Sequence, residues 1–160
     1  MSSSQAIATE IDVLGPARIP SPLPMQKFVN DHDKLIMHIS PETAEDFPLE
    51  GETYDFEEAG PREKIYFDPR KTKCAVVTCG GLCPGTNDVI RAIVMEAHFQ
   101  YSMPSTLGIR FGLQGFIPEF GHDIMELTPE SVARSHEFGG TILGSSRGHQ
   151  RVDEIVEALD

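Results

Sequence analysis

The chain has 160 residues, of which 39% are hydrophobic and 24% are charged, as is typical of a globular domain. Its formal net charge of −12 argues against a surface for nucleic acid or for an anionic membrane. No apolar run approaches the roughly 18 residues of a membrane span. The start of the chain lacks the basic and apolar segments of a signal peptide. We therefore expect a cytoplasmic protein.

Residues 1–58 are predicted to form an N-terminal extension that is Pro-rich, acidic and partly disordered. Prolines interrupt every periodic segment, and an acidic run extends from Glu42 to Glu58. A bridge then leads into a domain that we place at residues 59–160. Within the bridge, residues 65–67 have strand character. Arg62 and Lys64 are expected to be solvated charges beside an edge strand, and phosphate contact is the alternative.

Residues 74–91 read as a strand, a glycine-rich turn and a helix. Cys74 to Cys79 is an apolar run with β-branched residues, which predicts a strand that is buried on both faces. Gly80, Gly81 and Gly85 allow a tight turn and close approach of a ligand. A helix from about Thr86 would aim its free N–H groups at the turn, an arrangement that suits phosphate. The apolar face of this helix is Val89, Ile90, Ile93, Val94 and Ala97.

The turn has neither a Walker A pattern nor a Gly-x-Gly-x-x-Gly pattern. The residues alone leave two interpretations open. In the first, the turn cradles a phosphate; in the second, it only packs the helix on the strand. Under the second interpretation, Asn87 is an ordinary helix-start residue, whereas under the first it holds the loop or touches the ligand.

Further elements follow in alternation, which predicts an α/β fold: a Rossmann-like parallel sheet with flanking helices. Ligands of such sheets bind beyond the carboxyl ends of the strands. The predicted elements are a strand at Thr106–Arg110, a loop at Phe111–Phe116, a short strand at Asp123–Leu127, a helix opened by Thr128 and Pro129 and ending near Glu137, and a strand at Thr141–Leu143. The last helix runs from about Gln150 to Asp160 with no closing strand, so the domain is expected to be interrupted.

A second turn of small residues, Gly144–Gly148, follows the last predicted strand. It carries Arg147 between Ser146 and Gly148. The guanidinium of an arginine matches phosphate oxygens, and no lysine follows Lys73 to supply that charge. The alternative is an ordinary exposed loop arginine.

The remaining reactive residues form no recognisable site. The three cysteines, Cys74, Cys79 and Cys83, are an odd number, which argues against a disulfide framework. No second Cys or His pair lies at zinc-binding spacing, and no nucleophile–His–acid order stands out. We predict no metal site in this chain.

Three motifs in order resemble the 6-phosphofructokinase family. They are residues 79–91 (CGGLCPGTNDVIR), residues 108–112 (GIRFG) and residues 139–148 (GGTILGSSRG). Residues 59–67 (AGPREKIYF) are similar to the segment that precedes the first strand in the plant-type, ATP-dependent group.

The resemblance implies transfer of the γ-phosphoryl group of MgATP to the 1-hydroxyl of fructose 6-phosphate. It implies ATP contacts at Gly81, Arg147 and Gly148, with their neighbours Gly80 and Ser146 in the same turns. The magnesium ligands, the catalytic base and the sugar-phosphate residues of the family are expected beyond Asp160, so the chain alone is predicted to be inactive. A full-length protein is expected to be a homo-oligomer, a dimer or a tetramer. Two alternatives stay open: a pyrophosphate-dependent enzyme, and a non-catalytic regulatory subunit of the same fold.

Overall fold

A computed structural model describes residues 11–24, 27–36 and 55–159. The chain divides into two compact units, with the boundary between Tyr66 and Phe67. Residues 1–10, 25–26 and 37–54 lie outside the described residues, and with them most of the predicted acidic run. The prediction of a partly disordered extension therefore stays a prediction.

The first unit contains two short antiparallel strand pairs. Strand β1 (Ile19–Pro20) pairs with β4 (Lys64–Ile65), and β2 (Lys34–Ile36) pairs with β3 (Asp55–Glu57). The strand predicted at residues 65–67 is present only in its first residue.

Arg62 joins three segments of the first unit and is not the solvated charge that the sequence suggested. Its Nε lies 3.1 Å from a carboxylate oxygen of Asp31, and its Nη2 lies 2.8 Å from one of Glu57. Nη2 also donates to the carbonyl oxygen of Glu58 at 2.7 Å. These partners pair Nε and Nη2 of a guanidinium whose side chain is 19% exposed, whereas the buried Nη1 has no hydrogen-bond partner among the described residues.

The second unit is built on a three-stranded sheet in the order β5-β6-β7. Strand β5 (Lys73–Val77) runs parallel to β6 (Ser105–Ile109), with Val77 aligned to Ile109. The predicted parallel pairing is confirmed for these strands, and the α/β class with it. Strand β7 (Met125–Glu126) is antiparallel to β6, so the sheet is mixed rather than wholly parallel. The chain between β6 and β7 forms only the short 3-10 helices Gly112–Phe116 and Pro118–Phe120, not the long crossover that a parallel return requires.

Helix α1 (Thr86–Phe99) packs one face on the core and leaves part of the predicted stripe in solvent. Ile90, Val94 and Ala97 are buried, whereas Val89 is 59% exposed. The core cluster comprises Val76, Ile90, Val94, Leu127, Val132 and Leu143.

Helix α2 (Pro129–Val132) begins as predicted, because the Thr128 hydroxyl accepts a hydrogen bond from the Ser131 N–H at 3.2 Å. It ends earlier than predicted. Arg134 leaves helical geometry, with φ −110° and ψ 9°, and a separate 3-10 helix, Ser135–Glu137, follows. Helix α3 (Val152–Leu159) closes the described chain.

Two expectations are wrong. Residues 141–143 form no strand, because the N–H groups that a strand partner would need are already used. The Ile142 N–H donates to Asn87 Oδ1 at 2.8 Å, and the Leu143 N–H donates to Thr141 Oγ1 at 3.2 Å. Strand β5 is also not covered on both faces by the described residues, since Ala75 is exposed and only Val76 is buried.

None of the helices in the described part of the chain combines the length and the apolar character that crossing a membrane requires.

Candidate functional site

A cavity of about 600 Å³ lies in the second unit, beyond the carboxyl end of β5. One wall is residues 80–82, directly after β5. The other wall is drawn from residues 139–147. The lining residues are Gly80, Gly81, Leu82, Gly139, Gly140, Thr141, Gly144, Ser145 and Arg147. The two turns that the sequence singled out therefore meet at one site, beyond the carboxyl end of β5.

The wall formed by residues 80–82 contains two backbone N–H groups that have no hydrogen-bond partner within the described residues. The N–H of Gly80 donates to the carbonyl of Ser146 at 3.2 Å, so it holds the two walls together. The N–H groups of Gly81 and Leu82 make no hydrogen bond within the described residues. Two consecutive free N–H groups in a glycine turn can receive an anionic oxygen.

Helix α1 starts just after this wall, and its geometry depends on glycine. Gly85 is the N-cap residue, with φ +82°, in the left-handed region that L side chains rarely adopt. The first turn of α1 does not line the cavity. The walls, rather than the helix end, therefore supply the polar groups of the site.

Arg147 supplies the charge. Among the lining residues that the structure describes, it is the one ionised side chain. It makes no ion pair with any residue in the described ranges, in contrast to Arg134 and Arg151, which pair with Glu137 and Asp153. The charge of an exposed guanidinium beside free N–H groups favours an anionic ligand, and its planar fork matches the oxygens of a phosphate.

Hydroxyl groups fix the Arg147 wall to the end of β5. Thr78 Oγ1 donates to the carbonyl of Gly144 at 2.6 Å and lies 3.0 Å from Thr141 Oγ1. Ser145 Oγ donates to the carbonyl of Gly80 at 2.7 Å. The wall has no strand ladder, and these side-chain bonds take the place of one.

Gly144 is required where this wall meets the end of β6. The N–H of Phe111 donates to the carbonyl of Leu143 at 2.8 Å. This bond brings the Phe111 ring so close that a β-carbon on Gly144 would stand 2.8 Å from it. The φ of Gly144 is +70° as well, so two independent constraints exclude a side chain.

The structure brings together three of the five residues proposed from the sequence: Gly80, Gly81 and Arg147 line the cavity. Ser146 and Gly148 flank Arg147 but do not line it. The carbonyl of Ser146 accepts from Gly80, and its Oγ packs near Gly112. A β-carbon on Gly148 would meet nothing within 4 Å.

The hydrogen bond between the hydroxyl groups of Thr78 and Thr141 was not predicted from the sequence. Nor was the position of Gly139 and Gly140 in the cavity lining. Gly139 and Gly140 lie in one of the three family motifs, but no contact with a ligand was predicted for them. A threonine at the carboxyl end of a strand, just before a glycine turn, was the available signal for the hydrogen bond.

Among the residues that the structure describes, no carboxylate lines the cavity. Within the described ranges, no group of three or more His, Cys, Asp or Glu side chains is arranged to hold a metal ion. Mg²⁺ prefers oxygen ligands, usually with one or two carboxylates, so these residues do not fit a magnesium site. Cys79 and Cys83 are exposed free thiols, whereas burial raises the pKa of the partly covered Cys74 thiol.

Comparison with known proteins gives a consistent result. Residues 73–160 match the family model described as Phosphofructokinase. The chain is 44% identical over 161 residues to an ATP-dependent 6-phosphofructokinase of Borreliella burgdorferi, a match that covers 94% of this chain and 35% of the relative. It is 54% identical over 104 residues to an enzyme of the same name from Amycolatopsis methanolica, covering 65% of this chain and 22% of the relative.

A plant relative is more distant. The chain is 39% identical over 151 residues to ATP-dependent 6-phosphofructokinase 5, chloroplastic, of Arabidopsis thaliana, covering 88% of this chain and 27% of the relative. The chain thus spans about a third or less of the length of these relatives. The family match takes in both walls of the cavity and all three strands of the sheet. The chain belongs to the phosphofructokinase family.

Proposed function

We propose that residues 59–160 are the N-terminal part of the nucleotide-binding domain of an ATP-dependent 6-phosphofructokinase. The protein would transfer the γ-phosphoryl group of ATP to fructose 6-phosphate in glycolysis. In this chain, Gly80, Gly81 and Arg147 line one part of the ATP site, and Ser146 and Gly148 support it from beside Arg147. The observation that carries the proposal is that the unpaired Arg147 lines the same cavity as Gly81 and Leu82, whose N–H groups make no hydrogen bond within the described residues.

The contributions of these residues are binding and orientation. The N–H groups of residues 81–82 donate to phosphate oxygens, and the Arg147 guanidinium neutralises charge on the same group. Phosphoryl transfer depends mainly on such positioning and charge stabilisation. Ser146 and Gly148 act indirectly, Ser146 by joining the two walls and Gly148 by giving the Arg147 backbone its path.

Mg²⁺ accompanies ATP in this reaction, where it neutralises phosphate charge. The cavity lining provides no carboxylate for it, so we assign no metal ligand to this chain. The general base and the sugar-phosphate site are likewise not assigned here.

The names of the three relatives favour ATP over pyrophosphate as donor, since each is called ATP-dependent. A homo-oligomer and a cytoplasmic location stay predictions. For the location, one relative is named chloroplastic.

Titration calorimetry of the purified chain with ATP, pyrophosphate and adenosine tests the proposal. We expect ATP to bind and adenosine to bind far more weakly, because the site holds phosphate. Pyrophosphate binding with no response to ATP would favour the pyrophosphate-dependent alternative. Binding of neither ligand would contradict a phosphate role for this cavity.

A further inference from the structure

Asn87 is a buried polar residue of helix α1, and its side chain makes its hydrogen bonds outside the helix. Its side chain is almost completely buried, with 2% of the residue exposed, on the face that also buries Ile90 and Val94. The helix N-cap is Gly85, which has no capping side chain. A polar side chain at such a position costs stability unless both ends of its amide are paired.

Both ends of the Asn87 amide are paired with one distant loop. Its Nδ2 donates to the carbonyl of Phe138 at 2.9 Å, and its Oδ1 accepts from the N–H of Ile142 at 2.8 Å. In sequence, these partners lie 51 and 55 residues from Asn87. Both bonds have the short length of good amide hydrogen bonds.

The two partners bracket a wall of the cavity. Phe138 and Ile142 immediately precede and follow Gly139, Gly140 and Thr141, which are all lining residues. Gly139 and Gly140 have no side chains with which to pack, and Gly140 has a φ of +80°. Glycine pairs lose more conformational freedom on ordering than other residues, so this wall needs support from outside. A rigid helix supplies it through Asn87.

We propose that Asn87 is a positioning residue of the ATP site, a role that rests on the function proposed above. It holds both ends of the residue 139–141 wall at a fixed distance from helix α1. The hydrogen bonds of Thr78 and Gly80 connect the same wall to the turn that carries Arg147. Releasing the Asn87 bonds lets the wall move and reduces the affinity for ATP, although Asn87 touches no ligand.

Two substitutions of Asn87 distinguish the effect of its hydrogen bonds on ATP affinity from the effects of side-chain volume and charge. Asn87→Leu fills similar space but makes neither bond, so the Kd for ATP should rise about tenfold at every pH. Asn87→Asp can accept from Ile142 in either protonation state, but it can donate to the Phe138 carbonyl only when it is protonated. Its loss of affinity should therefore be large at about pH 8 and should shrink towards that of the unsubstituted chain at about pH 5.

Affinities are compared as ratios to the unsubstituted chain at each pH. The ionisable groups on the neighbouring segments, Asp88, His136 and Glu137, are present in both proteins, as is ATP itself, and their effects cancel in the ratio. Thermal unfolding checks that each variant is folded. Equal ATP affinity in folded Asn87→Leu would overturn the proposal, as would a pH-independent ratio for Asn87→Asp.

Amide hydrogen exchange of the unsubstituted chain gives a test that needs no variant. Saturating ATP should slow exchange of the Ile142 N–H, whose acceptor is Asn87. Exchange of the Leu127 N–H, which donates to Thr106 within the sheet at 2.8 Å, is the control and should not change. If ATP binds and Ile142 exchange is unaltered, the positioning role is wrong while the proposed function stands. If the unsubstituted chain binds no ATP, both fail.

Discussion

The Arg147 guanidinium nitrogen Nη2 lies 3.5 Å from the point that a β-carbon on Gly81 would occupy. That distance is an ordinary van der Waals contact, so one carbon fits and a branched side chain does not. Gly81 also has no positive φ that would itself demand glycine. Arg147 therefore limits the size of the side chain at position 81, without requiring glycine there.

A graded series at Gly81 tests this relationship. Gly81→Ala should keep the Kd for ATP within about threefold, because its β-carbon only touches the guanidinium. Gly81→Val should raise it more than about tenfold by displacing Arg147, as overpacking does. Both variants should unfold near the temperature of the unsubstituted chain, since the wall is exposed. Equal affinities for the alanine and valine variants would show that Arg147 and Gly81 do not act together.

Thr78 should matter for both stability and binding. Thr78→Val removes the hydrogen bond to the Gly144 carbonyl and the contact with Thr141 while keeping the shape of the side chain. We expect the free energy of unfolding to fall by about 1–2 kcal/mol and ATP affinity to fall with it.

Thr72→Val is the matched control for Thr78. The Thr72 hydroxyl also donates to one backbone carbonyl, that of Asp68 at 2.7 Å, but it precedes β5 and lies away from the cavity lining. Loss of this hydrogen bond should lower the free energy of unfolding and leave the affinity for ATP unchanged. ATP affinity that falls equally in both variants would argue against a specific tie at the site.

The three cysteines should differ in reactivity. Cys79 and Cys83 are exposed, whereas burial raises the pKa of Cys74, so less of its reactive thiolate is present near pH 8. Iodoacetamide should label two thiols rapidly and Cys74 slowly, as read by mass spectrometry. In denaturant all three should react alike. Rapid native labelling of Cys74 would contradict its partial burial beside α1.

The 160-residue chain by itself should show no phosphofructokinase turnover. The described residues that line its cavity include neither a carboxylate nor a histidine that could act as general base, and the chain spans 35% of its Borreliella burgdorferi relative. A coupled assay with ATP, magnesium and fructose 6-phosphate measures this, with an intact phosphofructokinase as positive control. Turnover above background that disappears in Arg147→Ala would disprove the prediction.

The sequence was sufficient to identify the two turns that line the cavity. Strand periodicity before Gly80 correctly placed the first turn at the carboxyl end of a strand, where ligands of such sheets bind. The second turn reaches the same site, although the strand predicted before it is absent. The sequence was not sufficient for residues 141–143, whose apolar run resembles a strand. The Ile142 N–H donates to a side chain on α1 that lies more than fifty residues earlier in the chain, and the Leu143 N–H donates to the hydroxyl of Thr141. Local patterns do not contain that information.

The direction of β7 was missed for a related reason. Its short run of residues is compatible with either direction, and the connection from β6 decides between them. Residues 112–120 look like a glycine-rich loop in sequence, and the structure folds them into short 3-10 helices, from which the chain returns antiparallel.

Arg147 is proposed to bind the phosphates of ATP. A calorimetric comparison of three proteins measures this role. ATP is titrated into the chain, into Arg147→Ala and into Arg134→Ala. Arg134 is a matched control because its guanidinium is paired with Glu137 at 2.7 Å and lies outside the cavity lining. We predict a Kd about ten- to a hundredfold higher for Arg147→Ala and an unchanged Kd for Arg134→Ala. Equal affinity in all three proteins would contradict the account.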